Sequence, residues 1–484
     1  MSEKIINIEL NELPPKILSE FINIRKDSML SKLYKNGFLK IYNTLADDVP
    51  KKKLYPSQTW ASFNTGIRFQ EHNCYWYSDP IDNKKLLWNK LVEKNIKVGV
   101  LGSLHSSKYP KDLYENDLYK FYIPDCFSEK TLTKPNNYSY FQKLNFQLVA
   151  SSARITKIKD IFFTILNHLK RILKNPQDYG ISFFSIKLII KSIFWAIRYK
   201  NKEFLRMCQF PLYAAIFLRL LKKDMPDYSC IFSNHLAGNM HRYWYAYRTS
   251  DFKNKNRYSV RWIKRNRDSF FNSMELLDEF LIELLKIEDF GKFSILITSS
   301  MGQEANPSFD NYQLSSYDGK IVDIKLFLDK FYKYKKENNI FVNLIIYKRN
   351  MAPQYGFEIK TSDKKIIERF AKNLHEFVSF LGLQNKIDVI KNSVTVTIDP
   401  AGDNKLQTTK SLKKVNKIYS KYGFVFNKIN DHHSGAHSEI GTLAVINSPK
   451  DLNKLILEKT IDLKNLNYLS FSEIIYKYFS KNKV

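Results

Sequence analysis

Thr59 carries the hydroxyl with the best claim to chemistry. It follows the turn signal Pro56-Ser57 in the stretch YPSQTWASFNTG and falls in the first turn of an expected helix. Unpaired backbone N–H groups and the helix dipole favour an anion at such a start. An oxygen held there becomes a nucleophile when its pKa is lowered, and a metal ion is the usual means. A helix-start threonine is otherwise a structural residue, so the question passes to its company. His241 stands beside Arg242, Tyr243 and Trp244, and His432, His433 and His437 crowd together within six positions near the C-terminus. Grouped imidazoles suit zinc or manganese, while a hydrogen-bonded core histidine is the plain alternative. Glu9, at the end of the first apolar run, is either a ligand or a salt-bridged acid. Asn11 and Asn64 could donate hydrogen bonds to an anionic oxygen. Arg242 could grip a phosphate or sulfate with paired N–H groups, although a surface ion pair is its commoner use.

These residues need a frame, and the apolar runs predict one. IINIEL at 5–10, IKVGVLGSL at 96–104, YSCIFSN at 228–234, FSILITSS at 293–300, FVNLIIYK at 341–348 and GTLAVIN at 441–447 read as buried parallel strands. NKKLLWNKLVEKN and SMELLDEFLIELLKI carry apolar residues at three-and-four spacing and read as helices between them. The alternation predicts an α/β fold, a mostly parallel sheet with helices on both faces. Polar residues follow the strands, as in GSLHSS, SNHLAGNMH and TSSMGQ, at the carboxyl edge where open α/β sheets build their ligand crevice. Residues 360–392 read as a helix pair, VTVTIDP as a strand, and the stretch from LKKVNKIYSKYG to SGAHSEIG as helix, strand and polar loop.

The segment YPSQTWASFNTGIRFQEHNCYWYSDP resembles the nucleophile region of the alkaline phosphatase superfamily, in its type I phosphodiesterase/nucleotide pyrophosphatase and sulfatase-like branches. The matching residues are Thr59, then Thr65, Gly66 and His72. The remaining elements follow in the same order: an acid on the first strand (Glu9), a mid-chain His before aromatics (His241), a Ser-rich turn with Gly (TSSMGQ) and a C-terminal Gly-x-His (His437). The resemblance implies a Thr59 nucleophile and divalent metal ions. It also shows departures. Ser300 and Met301 stand where the family places an Asp-His ligand pair, and Ala237 stands four residues before His241 where it places an Asp. One family site is therefore expected to be lost, since two remaining ligands are too few. The other keeps His241 and His437, with Asn234, His235 or His433 to supply a third ligand, so the expectation is a site that holds one zinc or manganese ion or none. The expected function is a divergent hydrolase or transferase acting on a phosphate or sulfate ester. The alternative is a catalytically degenerate protein that binds an acidic glycan, a nucleotide or a protein partner.

The totals set the outer bounds. At 484 residues and 44% apolar composition the chain can bury a large core, with room for about three domains. We expect residues 1–150 and 227–484 to build the α/β domain around a basic helical insertion, or cap, at 151–226. That insertion is rich in Lys, Arg, Phe and Ile, and Lys187 and Lys191 interrupt its longest apolar stretch short of a membrane span. Packing on the main domain is its plainest use, and peripheral contact with a membrane surface is the other. The net charge of +29 favours anionic partners, here an anionic small molecule or glycan-linked ester. Nucleic acid is not expected, for no recognised motif supports it. P-loop, dinucleotide-binding, HExxH and GxSxG motifs are absent from the sequence. Cys74, Cys126, Cys208 and Cys230 are widely spaced and suit a reducing compartment. The opening MSEKIINIEL lacks a secretory apolar region, so a cytoplasmic chain is expected.

Overall fold

A computed structural model describes residues 4–49, 54–149, 158–201, 203–287, 292–311, 316–334, 343–348, 350, 353–398, 411–429, 433–461 and 465–481. Six strands supply the part of the main sheet that matters for the site: β1 (Lys4–Leu10), β2 (Leu39–Leu45), β3 (Val98–Leu101), β4 (Tyr119–Ile123), β5 (Tyr228–Ser233) and β6 (Phe293–Thr298). The nine-stranded sheet runs Thr460–Ile461, Asn465–Asn467, β2, Ile440–Ile446, β6, β1, β5, β3, β4. From β6 to β4 every neighbouring pair is parallel. The fold is therefore α/β with a mostly parallel central sheet.

Burial alternates along these strands because side chains of an extended chain alternate faces. Ile6, Ile8, Ile231, Phe293, Ile295 and Ile297 join one core, covered by helices that include Pro15–Ile24, Gln209–Lys223 and Ser269–Leu284. Ile5, Cys230, Val98, Val100 and Leu296 join the other, beneath Pro56–Thr65, Lys450–Lys459 and Ser470–Lys481. Both faces are closed.

The strand expected at 441–447 spans Ile440–Ile446, and its direction is corrected: it runs antiparallel to both β2 and β6. The reversal has a use. Its amino-terminal approach, the strand Gly435–Ser438 with His437, arrives at the edge where β1, β5 and β6 end. There it pairs with Gly302–Ala305, and His437 faces Gln303 in register. Gly302 must lack a side chain, since a Cβ would collide with the Ile440 carbonyl oxygen.

A third core belongs to residues 316–429. It holds a four-stranded antiparallel sheet in the order Asn385–Ile390, Ser393–Ile398, Gln354–Ile359, Ile345–Lys348. Two expectations fail here. The run at 341–348 is not a buried parallel strand: only Ile345–Lys348 is extended, half-buried at the antiparallel edge, while 341 and 342 lie outside the described residues. The helix pair at 360–392 is one helix, Lys364–Phe380, followed by the strand Asn385–Ile390, whose alternating apolar and charged residues favour an extended chain.

Within 151–226 the described residues form helices Ile158–Lys174, Phe183–Arg198, Glu203–Arg206 and Gln209–Lys223. Leu188, Trp195, Phe204 and Phe210 seat them in the first core. Among the described residues one helical run, Glu203–Lys223, is long and apolar enough to cross a membrane by length and composition, and 67% of its apolar window is buried inside the protein.

Candidate active site

β1 ends at Leu10, and the chain turns through Asn11 and Glu12 before the Pro14 that opens the next helix. Glu12 holds φ 64°, a left-handed backbone that non-glycine residues adopt at a cost. The turn aims its carboxylate inward, where its side chain is 3% exposed. Four groups hold it there. The Asn11 amide donates to Oε1 at 2.8 Å and the Gln303 amide to Oε2 at 2.5 Å. His241 Nε2 lies 2.8 Å from Oε2 and His437 Nε2 lies 3.5 Å from it.

The two imidazoles are oriented alike. His241 Nδ1 is 3.1 Å from the Gly435 carbonyl oxygen and His437 Nδ1 is 2.6 Å from that of Leu54. A carbonyl only accepts, so both Nδ1 atoms carry hydrogen and a neutral ring offers the Nε2 lone pair to the carboxylate side. A lone pair facing a carboxylate oxygen needs a cation, either a proton or a metal ion. Burial alone would raise the Glu12 carboxyl, but the charges of His241 and His437 outweigh it and hold the group well below the usual carboxylate range. Burial would likewise lower His437, and the Glu12 charge and hydrogen bond instead raise it above 6.5. The donor atoms of Glu12, His241 and His437 lie within 4.8 Å of one another. Two imidazoles and one carboxylate form a common donor set of catalytic zinc, with a fourth position left for water or substrate. Nδ1 hydrogen bonds to backbone carbonyls are the outer-shell support such ligands use. The residues fit one ion.

His433 lies against His241, ring centroids 5.0 Å apart, at the exposed side of the cluster. His432 lies outside the described residues. The other expected ligands are elsewhere. The Asn234 oxygen accepts from Asn11 at 2.8 Å, which makes it a support for the Glu12 turn. His235 points to the helical insertion, stacked on Phe210 at 4.1 Å, and burial pushes its pKa down to about 3. Glu9 sits within β1, three residues before Glu12, fully buried, with its carboxylate beside the Asn7 amide at 3.3 Å. Burial raises its pKa to about 8 against a partial offset from Ser103, and its Oε2 has no hydrogen-bond partner. Arg242 pairs with buried Glu203 rather than lying open to an anion.

Thr59 is at the start of the Pro56–Thr65 helix, as expected, and is fully buried. Its Oγ1 lies 2.8 Å from Ser300 Oγ and 3.3 Å from the Tyr55 carbonyl oxygen, to which it can donate. The open amides expected at this helix start are not all available. Pro56 has no N–H, and the amides of Gln58 and Thr59 both donate to the Tyr55 carbonyl at 3.0 Å. Tyr55 in turn sets its ring edge-on to His437, centroids 6.0 Å apart, so the threonine and the histidine share one wall of the site. Trp60, the next residue, donates to the Asn11 oxygen at 3.0 Å and so orients the amide that holds Glu12. Asn64 faces away, its amide 3.4 Å from Ser103 Oγ. His72 accepts the Cys74 amide hydrogen at Nδ1, which leaves Nε2 to donate to Ser62 Oγ at 2.8 Å. Burial lowers its pKa to about 4, and it acts as a structural brace of the segment.

Sequence reasoning selected His241 and His437 and passed over Glu12. The available signal was position: Glu12 lies just beyond the end of β1, in the loop that feeds the crevice, whereas Glu9 lies within the strand. Asn11 is expected to matter through Glu12. Asn11→Ala should weaken metal affinity by roughly 10–100-fold, the usual worth of an outer-shell partner, as read by competition with a chromogenic chelator.

No protein-family model matches this chain, and no curated protein matches it in sequence. Among solved structures it is similar to phosphonoacetate hydrolase from Sinorhizobium meliloti, with 11% identity, a TM-score of 0.37, and coverage of 98% of this chain and 96% of that one. It is similar to murine ectonucleotide pyrophosphatase/phosphodiesterase 5 at 9% identity and a TM-score of 0.38, covering 99% and 95%. Alkaline phosphatase from Thermus thermophilus gives 9% identity and a TM-score of 0.38, covering 98% and 90%. Likenesses this loose transfer no chemistry.

Proposed function

We propose that the chain is a single-metal hydrolase or transferase of the alkaline phosphatase superfamily, acting on a phosphate or sulfate ester. The observation that carries this reading is the convergence of Glu12, His241 and His437, with both Nδ1 atoms fixed, at the carboxyl edge of a parallel sheet. Glu12, in the turn just beyond the first strand, replaces the carboxylate that Ala237 does not supply. When bound, an ion there would act as a Lewis acid toward an ester oxygen. The chain's own part is to hold the reacting groups. Thr59 offers its hydroxyl, Ser300 orients it by the 2.8 Å hydrogen bond, and the Tyr55 backbone fixes the helix start that carries it. The second family site does not fit here, because Ser300 and Met301 supply one weak donor and none.

The experiment is metal analysis of the purified protein beside hydrolysis of aryl phosphodiesters and aryl sulfates. About one zinc or manganese per chain is expected, together with turnover that falls by roughly 10³-fold or more in Thr59→Ala while its metal content stays unchanged. Turnover unaffected by Thr59→Ala would remove the threonine from the mechanism.

One observation favours a second reading. The Thr59 hydroxyl is fully buried, and its side-chain partner is another hydroxyl rather than a base. A protein that binds an acidic glycan, a nucleotide or a protein partner without turning it over would keep this arrangement. It would hold the metal and bind such a ligand, and Thr59→Ala would leave that binding unchanged.

A further inference from the structure

The helices Ile158–Lys174 and Phe183–Arg198 are joined by a short turn through Pro176–Tyr179. The second is packed on one side only: Ser185, Leu188, Ser192 and Trp195 are buried. Its opposite side carries Ile186, Ile190, Ile193 and Ile197, spaced by four, three and four, and Ile190 and Ile197 are 61% and 72% exposed. The first helix repeats the spacing with Phe162, Leu166, Leu169 and Leu173, where Leu173 is 73% exposed. Phe183, at the tip between them, is 88% exposed. This is an apolar stripe at helical period turned to solvent; the second helix has a core on its other side, and the first rests on buried His168 and half-buried Ile172 among the residues described.

A stripe of this kind calls for a partner, and the charge around it says which. Residues 158–200 hold eight Lys and Arg against two Asp and no Glu. Lys187 and Lys191 are tied to Glu279 and Glu275 on the body of the protein. Lys170, Arg171, Lys174, Arg198 and Lys200 stand exposed beside the apolar residues. Apolar side chains flanked by cations with almost no acids match the acyl-chain and headgroup boundary of an anionic bilayer. We propose that these two helices lie flat on an anionic membrane surface, with the stripe in the acyl boundary and the cations at the headgroups. The buried run Glu203–Lys223 is not part of this contact.

The test uses the full chain with phosphatidylcholine vesicles made with and without phosphatidylglycerol. Wild type is expected to float with the anionic vesicles and to remain free of the neutral ones. Ile190→Glu/Ile197→Glu should weaken flotation by roughly tenfold or more, while its melting temperature and metal content stay those of wild type because both side chains are exposed. Added salt should weaken binding only in part, since the apolar contribution survives screening. No flotation of wild type with anionic vesicles overturns the proposal. So does a concentration-dependent dimer that the double substitution abolishes without any lipid binding, since the stripe would then be covered by a second copy. The outcome does not depend on turnover, so it stands apart from the reading of the active site.

Discussion

Replacing Glu12 with alanine or with glycine is expected to empty the metal site in both variants and to separate them in stability. Glu12 supplies the carboxylate of the three-residue donor set, and loss of an inner ligand should cost more than the roughly 10–100-fold assigned to outer-shell partners. Metal content should fall from about one ion per chain to near zero. The backbone then tells the variants apart. Residue 12 has φ 64°, a region glycine enters freely and alanine at a cost of about 1 kcal/mol. Glu12→Gly should therefore melt above Glu12→Ala when both are metal-free. Equal melting would mean that the left-handed turn is not what the residue maintains.

The same pair predicts a pH signature in metal-free wild type. Glu12 has its folded pKa held below 4.5, so its contribution is present above that value and is lost as pH falls through the folded pKa. His437 has its folded pKa raised above 6.5, so its contribution is present below 6.5 and is lost as pH rises through the folded pKa. Stability from this pair should be greatest between those limits, and saturating metal should move the optimum to higher pH by displacing the imidazole proton. Chemical denaturation across pH, with and without chelator, measures both.

Glu9→Gln is expected to stabilise the protein at neutral pH and to leave its metal content unchanged. The folded pKa of about 8 stands above the model-peptide value of 4.5 because the carboxyl is buried in the sheet. Between those values the unfolded chain ionises and the folded chain does not, so stability falls as pH rises, by about 3 kcal/mol at pH 7. An amide never ionises and removes that slope. Urea midpoints at acidic and mildly alkaline pH should diverge in wild type and converge in the variant. Loss of metal from Glu9→Gln would instead return Glu9 to the ligand role that the family resemblance implies.

Much of the frame was legible because buried strands leave continuous apolar runs: β3, β5 and β6 fall within the stretches read from sequence, and β1 starts one residue ahead of its stretch. His241 and His437 were legible through their order along the chain. Glu12 was not, because its role depends on a left-handed turn that aims a side chain and on the arrival of Gln303 and two imidazoles around it. The direction of Ile440–Ile446 was hidden for a related reason, since a run covered on both sides reads the same in either direction. In NKIDVI the strand shows no buried residue, and its apolar positions continued the pattern of the preceding helix closely enough to be read with it.

The antiparallel entry of Ile440–Ile446 ties the donor set to a stretch made long after Glu12 and His241. Glu12 leaves the ribosome long before His437, so a nascent chain that stops short of His437 holds at most two of the three donors. Loading of an ion on all three donors would then wait for His437, and the ion would join stretches far apart in the sequence into one cooperative unit. A chain cut between β6 and His437 could keep its parallel strands and still present no complete binding site to the cell's metal pool.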